Sequence, residues 1–132
     1  MIGLDSNVLV RYLVQDDPKQ SALATRFIER TLSSDDPGFV STIVLCEIAW
    51  VLGECYGADR KGVREVVEGL LATKQLVIEQ AEVVWKALRA WEGVLADFSD
   101  ALIGQIVTAH GGDRTVTFDR AAARLPGFEL LA

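Results

Sequence analysis

The sequence predicts an α/β fold, a three-layer α/β/α sandwich around a central, mostly parallel sheet. Short apolar runs of strand length alternate with longer segments whose hydrophobic residues have helical spacing, which is typical of this class. Half of the 132 residues are hydrophobic and 24% are charged, an ordinary balance for a globular protein. The length suits one domain and no linker or internal repeat interrupts it, so we expect residues 1–132 to form a single domain.

The N-terminal part of the chain is predicted to alternate strands with helices. The strands are residues 2–4, 39–41 and 76–78, and the helices are residues 7–13, a segment from Pro18, residues 43–56 and residues 61–73. Asp17 and Pro18 suit the N-cap and first position of the second helix, and Gly57 suits the end of the third. The apolar stripe of the second helix is expected to include Leu23.

The C-terminal part continues this alternation. Helices are predicted at residues 81–94 and 98–109, strands at residues 115–118 and 128–131, and a short helical turn at residues 121–124. Trp85, Leu88 and Trp91 share the apolar side of the first of these helices. The last strand is expected at an edge of the sheet.

The net charge is −6, so the sequence does not indicate the basic face with which proteins usually hold nucleic acid. It has no secretory signal and no apolar run of membrane-spanning length, so we expect a cytoplasmic protein. Cys46 and Cys55 lie on one predicted helix, about 13 Å apart, which is too far for a disulfide. Both are expected to be buried apolar thiols.

Two aspartates follow predicted strands directly. Asp5 comes after residues 2–4, and Asp119 comes after residues 115–118. Ligand sites of open parallel sheets form at the carboxyl ends of the strands, so both carboxylates are candidates for a shared site. Capping of the helix that follows each strand is the structural alternative for both residues.

Glu47 lies within the most apolar predicted helix. None of the residues three or four positions away is basic, so it has no partner on its own helix. We expect this carboxylate to be at least partly buried, where it would have to protonate or find a cation. The alternative is a narrow solvent-facing stripe shared with Glu54.

Asp97 and Asp100 stand at the start of the helix predicted for residues 98–109. Capping explains both, with Asp97 as N-cap and Asp100 in the first turn, where the helix dipole favours negative charge. The same position would also direct Asp100 into a nearby cleft.

Considered together, these acids predict a metal site. Carboxylates that lie close together repel one another unless a cation is present, and hard oxygen ligands suit Mg²⁺ or Mn²⁺. Such a cation would also give phosphate a place to bind on an acidic protein. Other chemistries lack support, because His110 is the only histidine and no glycine-rich phosphate-binding motif is present.

Four segments resemble PIN-domain proteins, and more narrowly VapC-type toxins of toxin–antitoxin pairs. They are residues 3–9 (GLDSNVL), the Cys46-Glu47 pair in an apolar helix, residues 97–103 (DFSDALI) and residues 117–120 (TFDR). Their order and spacing match over nearly the whole chain. Ser6 stands where many relatives have threonine.

The resemblance implies a Mg²⁺- or Mn²⁺-dependent endoribonuclease. Asp5, Glu47, Asp100 and Asp119 fall on the acidic positions of the family, and Asp97 is a companion acid that competes with Asp100 for the third position. The resemblance also implies a homodimer and a small antitoxin that packs near the active site.

We assign hypothetical roles on this basis. Asp5 and Asp100 would hold one metal ion with help from Asp119, and Glu47 would hold a second ion or position the attacking water. Ser6 and Asn7 would support these ligands. The candidates for phosphate contacts are Arg11, Arg114, Arg120 and Arg124.

Two alternatives remain open. One is a phosphatase of the haloacid dehalogenase type with Asp5 as nucleophile, although Asn7 replaces the aspartate that such enzymes use as general acid. The other is a non-catalytic binding module on the same fold. Tyr56, Trp85 and Trp91 are candidates for an interface, with core packing as their alternative.

Overall fold

The computed structural model describes residues 1–132. Its contacts divide the chain into two compact units, Met1–Glu79 and Gln80–Ala132. Both units combine helices with parallel strands, which confirms the predicted α/β class. The single domain expected for residues 1–132 stays a prediction.

The first unit contains three strands and four α-helices. In chain order these are β1 (Ile2–Gly3), α1 (Ser6–Val14), α2 (Pro18–Arg26) with a π-helical continuation (Phe27–Thr31), β2 (Gly38–Val40), α3 (Thr42–Tyr56), α4 (Arg60–Leu71) and β3 (Leu76–Ile78). The strands form one parallel sheet in the order β1-β2-β3. The predicted elements are all present, with ends that differ by a few residues.

The second unit contains two strands and two α-helices. In chain order these are α5 (Ala81–Trp91), α6 (Phe98–Ala109), β4 (Thr115–Thr117), a 3-10 turn (Ala122–Arg124) and β5 (Phe128–Leu130). β4 and β5 pair in parallel as a two-stranded sheet. All strand pairs in both units are therefore parallel.

Local capping explains where the helices begin. The side chain of Asp17 accepts a hydrogen bond from the N–H of Gln20 at 3.0 Å, and Pro18 occupies the first turn. Ser41 caps α3 in the same way. Gly57 ends α3 with φ 68°, a left-handed conformation that suits glycine.

The core of the first unit is built on one side of each helix. α3 buries Leu45, Ile48 and Leu52, which follow helical spacing. The buried stripe predicted for α2 is wrong at Leu23, whose side chain is 55% exposed. Ser21 and Ala24 are the buried residues of α2 instead, and Leu23 lines a groove.

A hydrogen-bonded network joins α1, α2 and α3. Arg11 donates to Asp16 at 3.0 Å and to Gln20 at 2.8 Å, and the hydroxyl of Tyr56 donates to the other oxygen of Asp16 at 2.7 Å. These bonds lower the pKa of Asp16, with the bond from Tyr56 as the largest cause. The network therefore holds the turn between α1 and α2 against the end of α3.

In the second unit, α5 packs on α6. Trp91 is buried, its ring meets that of Phe98 edge to face at a centroid distance of 5.6 Å, and its indole N–H donates to the carbonyl of Ala96 at 2.6 Å. Trp85 was expected on the same apolar side, but it is 38% exposed. Of the interface candidates, Trp91 therefore belongs to the core, whereas Tyr56 and Trp85 are exposed.

The cysteines and the membrane-spanning potential of the helices can also be compared with the predictions. The prediction that both thiols are buried is wrong, because Cys55 is exposed and Cys46 is half-buried. Partial burial raises the pKa of the Cys46 thiol. None of the helices combines the length and apolar character that crossing a membrane requires.

Candidate active site

Asp5 follows β1 and is the N-cap of α1. Its carboxylate is exposed, and its Oδ1 accepts a hydrogen bond from the N–H of Ser6 at 2.7 Å. The hydroxyl of Ser6 lies 3.5 Å from the same oxygen, at the long limit for a hydrogen bond. Oδ2 makes no hydrogen bond, so capping leaves one oxygen of Asp5 available.

A groove of about 750 Å³ lies beside Asp5 in the first unit. The residues that line it come from β1 and the residue after it, from α1, and from α2 with its π-helical continuation, and they include Leu4, Asn7, Arg11, Leu23 and Phe27. The lining is mostly apolar, with Asn7, Arg11 and Gln20 as polar exceptions. Leu23 is exposed because its side chain lines this open groove.

Glu47 is exposed, so the prediction that it is at least partly buried is wrong. It shares one face of α3 with Ile43, Trp50 and Glu54, and all four side chains are exposed. α3 is apolar on almost every side, which hides its solvent face from a count of hydrophobic neighbours. The structure thus agrees with the alternative of a solvent-facing stripe with Glu54, and an argument from a buried charge no longer applies to Glu47.

Asp97 and Asp100 occupy the first turn of α6 as predicted. Asp97 is the N-cap residue, and its N–H donates to Oδ2 of Asp100 at 3.3 Å, the return bond of a capping box. The other oxygen of Asp100 makes no hydrogen bond. Capping therefore describes this pair correctly without using all the carboxylate oxygens.

The carboxyl group of Asp100 is in surroundings that disfavour its ionised form. Burial raises its pKa above the ordinary value for aspartate, and the negative charges of Asp97 and Asp119 raise it further. The hydrogen bond from the N–H of Asp97 acts in the opposite direction and does not cancel the effect. A nearby cation would therefore stabilise ionised Asp100.

Asp119 directly follows β4 and holds the turn after it. Its Oδ1 accepts hydrogen bonds from the N–H groups of Ala121 at 2.8 Å and Ala122 at 3.2 Å, and its own N–H donates to the hydroxyl of Thr117 at 3.0 Å. Oδ2 makes no hydrogen bond. Asp119 repeats the arrangement of Asp5, with one oxygen used by the backbone and one available.

The structure brings together part of the predicted set. Within the second unit, the negative charges of Asp97 and Asp119 act on Asp100, whereas Asp5 and Glu47 belong to the first unit. No three His, Cys, Asp or Glu side chains are arranged so that they could hold a metal ion. A site shared by the two sets stays a prediction.

The four arginine candidates differ in their partners. Arg11 is engaged by Asp16 and Gln20, and Arg114 forms an ion pair with Glu129 at 2.8 Å. Arg120 and Arg124 are exposed and their guanidinium groups are in no hydrogen bond or ion pair. The free cations therefore flank the turn that Asp119 caps.

Sequence reasoning missed three exposed apolar residues near the candidate acids. Ile43 and Trp50, on either side of Glu47, are 73% and 64% exposed, and Phe118, next to Asp119, is 80% exposed. Alternation along β4 would predict Phe118 on a buried face with Val116, yet Val116 is also exposed. No pattern in the sequence distinguishes these residues from core residues.

His110 behaves as expected for a helix end. It is the C-cap residue of α6, and its Nδ1 lies 2.9 Å from the carbonyl oxygen of Ile106. The ring thus serves the last turn of the helix and is no candidate for catalysis.

The sequence profile of the PIN domain matches residues 2–127, nearly the whole chain. The protein therefore belongs to the PIN-domain family, whose members are typically magnesium-dependent nucleases. A search among curated proteins found no match. The family favours a nuclease over the phosphatase and the non-catalytic module considered above.

Proposed function

We propose that this chain is a metal-dependent endoribonuclease that acts as the toxin of a toxin–antitoxin pair. The observation that carries the proposal is the group of Asp97, Asp100 and Asp119 in a PIN domain, in which burial, and after it the charges of Asp97 and Asp119, raise the pKa of Asp100. A structural role alone would favour a lowered pKa, as in an ion pair or a well-made cap. A site that is costly to ionise without a cation is typical of metal centres.

The chemistry of the donor set fits Mg²⁺ or Mn²⁺. Every proposed ligand is a carboxylate, and hard cations of this kind prefer oxygen. Asp5, Asp100 and Asp119 would hold the cation, with Glu47 and Asp97 as further acids. When bound, the cation supplies positive charge beside the phosphoryl group and acidifies a water molecule.

The protein's own contribution is orientation. Asp5, Asp100 and Asp119 each have one oxygen held by backbone N–H groups and one oxygen free. The bound oxygen restricts rotation of the carboxylate, so the free oxygen has a defined direction before any ligand arrives. Glu47 is exposed on helix α3, and we propose that it accepts a proton from water as a general base.

Cleavage of RNA by purified protein in Mn²⁺ tests the proposal. We expect Asp5→Asn, Glu47→Gln and Asp119→Asn each to reduce the cleavage rate at least about 100-fold. Each substitution removes a negative charge that helps to hold the metal ion, and the bound ion stabilises the transition state by several kcal/mol. Chelation by EDTA should abolish cleavage by the wild-type protein. Glu54→Gln is the matched control, since Glu54 lies on the same exposed face of α3 as Glu47, and it should cleave normally.

Equal cleavage by the wild-type protein and all three variants would contradict the nuclease assignment and point to a contaminant. Metal-dependent release of phosphate from small monoesters, without RNA cleavage, would favour the phosphatase alternative instead.

The proposed partners are an RNA substrate, a second copy of the chain and a small antitoxin. The apolar groove beside Asp5 supports the antitoxin, because a protein segment that covered it would bury Leu23 and Phe27 next to a proposed ligand. The exposed aromatic side chains of Trp50 and Trp85 support a homodimer. Co-expression with the product of an adjacent short reading frame, which should relieve toxicity, tests the antitoxin.

A further inference from the structure

Phe118 is the most exposed aromatic side chain of the protein. It is 80% exposed and stands between β4 and Asp119. A phenylalanine left in water forgoes the largest contribution that its ring makes to folding, burial of apolar surface. Its position beside a proposed metal ligand gives the exposed ring a use in binding.

The turn that displays Phe118 is well fixed. On one side Asp119 N–H donates to the hydroxyl of Thr117, and on the other the carboxylate of Asp119 accepts from Ala121 and Ala122. The carbonyl of Thr117 also accepts from the N–H of Leu131 at 2.8 Å. Phe118 is therefore held out from an anchored backbone rather than from a free loop.

Arg120 completes the arrangement on the other side of Asp119. It is exposed, and its guanidinium group is in no ion pair or hydrogen bond, whereas Arg114 in the same unit is paired with Glu129. Three consecutive residues thus present an aromatic face, a carboxylate and a free cation. Aromatic faces bind bases by stacking, and guanidinium groups bind phosphate.

We propose that Phe118 and Arg120 form a subsite for single-stranded RNA. A base next to the cleaved bond stacks on the ring of Phe118, and Arg120 contacts a neighbouring phosphate. The face of a base in a duplex is already covered by its neighbours, so this ring selects unpaired nucleotides. The inference rests on the proposed ribonuclease function and specifies the substrate class of the same site.

Binding of a short single-stranded RNA that contains 2-aminopurine tests the subsite. All proteins in this experiment carry Asp5→Asn, which is expected to prevent cleavage of the RNA. Asp5 belongs to the first unit, whereas Phe118 belongs to the second. We expect Phe118→Ala to weaken binding about 5- to 150-fold, the range for loss of one base–aromatic stack, and to abolish the quenching of 2-aminopurine that stacking causes.

Matched variants separate stacking from apolar contact. Phe118→Trp should retain affinity and quenching, and Phe118→Leu, which keeps an apolar side chain without an aromatic face, should behave as Phe118→Ala. Val116→Ala, two residues earlier on β4 and 51% exposed, should bind as the parent protein does. The same RNA annealed to its complement should bind with no dependence on residue 118.

Equal affinity of Phe118→Ala and the parent, or an equal loss with the duplex, would overturn the proposal. So would a change in molar mass by light scattering caused by Phe118→Ala without a change in RNA binding, which would assign the ring to a protein contact. Failure of the nuclease assignment is distinguishable, because it appears as absence of RNA cleavage by the wild-type protein in Mn²⁺.

Discussion

At the scale of single residues, the candidate aspartates combine two tasks that a sequence presents as alternatives. Asp5 and Asp119 each use one oxygen to hold the start of the following helical segment and leave the other free, and Asp100 divides its oxygens in the same way. An N-cap contributes about 1 kcal/mol to stability. Capping and metal binding are therefore compatible in the same side chain, and capping helps by orienting the carboxylate.

The raised pKa of Asp100 leads to a prediction about metal and stability. Because the folded protein holds ionised Asp100 in a partly buried, negatively charged place, the penalty to the free energy of unfolding is present at neutral pH. It shrinks as pH falls below the raised pKa of the folded state and is gone below the ordinary pKa of aspartate. We expect Mn²⁺ to raise the unfolding temperature of the wild-type protein. At a Mn²⁺ concentration 100 times the dissociation constant, the free energy of unfolding should rise by about 2.7 kcal/mol. The measurement is thermal unfolding followed by circular dichroism.

Asp100→Asn provides the comparison for this prediction. Asparagine keeps an acceptor for the N–H of Asp97 but carries no charge. The variant should unfold at a higher temperature than the wild-type protein without metal, and Mn²⁺ should raise its unfolding temperature less. The effect of Mn²⁺ on the wild-type protein should also shrink as pH falls into the range where Asp100 protonates. An identical Mn²⁺ response in both proteins would remove Asp100 from the metal site.

At the scale of elements, two helical glycines that look alike in the sequence have different surroundings. Gly69 lies on α4, and a methyl group added there would meet no atom within 4 Å. Gly104 lies on α6, and the same methyl group would overlap the ring of Phe128 on β5. Glycine is thus an expendable choice in α4 and a packing requirement in α6.

These surroundings predict opposite effects of the same substitution. Gly69→Ala should raise the free energy of unfolding by about 0.5–1 kcal/mol, the gain in helix propensity. Gly104→Ala should lower it by about 1–3 kcal/mol, because overlap with Phe128 outweighs that gain. Urea denaturation of both variants measures the difference.

Adding Phe128→Leu serves as a control, since it should reduce the cost of Gly104→Ala if the ring causes it. If Gly104→Ala stabilised the otherwise unchanged protein, the prediction would be contradicted, because the ring of Phe128 would then move aside at little cost.

At the scale of the whole molecule, charge limits how RNA can be held. The net charge is −6, and of the four arginine candidates only Arg120 and Arg124 are without partners. A molecule of this kind cannot rely on the release of many counterions. If the proposed function is correct, affinity for RNA comes from the proposed cation and from stacking, with few phosphate contacts.

The expected salt dependence is correspondingly weak. Two phosphate contacts to single-stranded RNA predict a slope of about −1.4 for the logarithm of the association constant against the logarithm of salt concentration. Arg120→Ala should reduce the slope to about −0.7, and Arg114→Ala, which removes a guanidinium already paired with Glu129, should leave it unchanged. Fluorescence anisotropy at several salt concentrations measures the slope, and a slope of about −5 would contradict this account.

Most of the local structure could be predicted from the amino-acid sequence, and the carboxylates in the motifs indicate the chemical class of the candidate site. Asp17 is predicted as an N-cap, and capping is the structural alternative considered for Asp5 and Asp97; all three are N-cap residues. A cap acts within three residues of itself, so such short-range chemistry can be predicted from the order of residues along the chain. Parallel strands followed from their alternation with helices. The motifs around the acids were sufficient to indicate the family that residues 2–127 match.

Tertiary packing sets which side chains are exposed to water and which charges lie close together. α3 is apolar on most sides, so packing alone determines that Leu45 is buried and that Glu47 and Trp50 are exposed. The partner of Arg114 and the neighbours of Asp100 come from other elements. Burial and electrostatics depend on distances in space between residues remote in the chain, and the period of a sequence pattern carries no information about those distances.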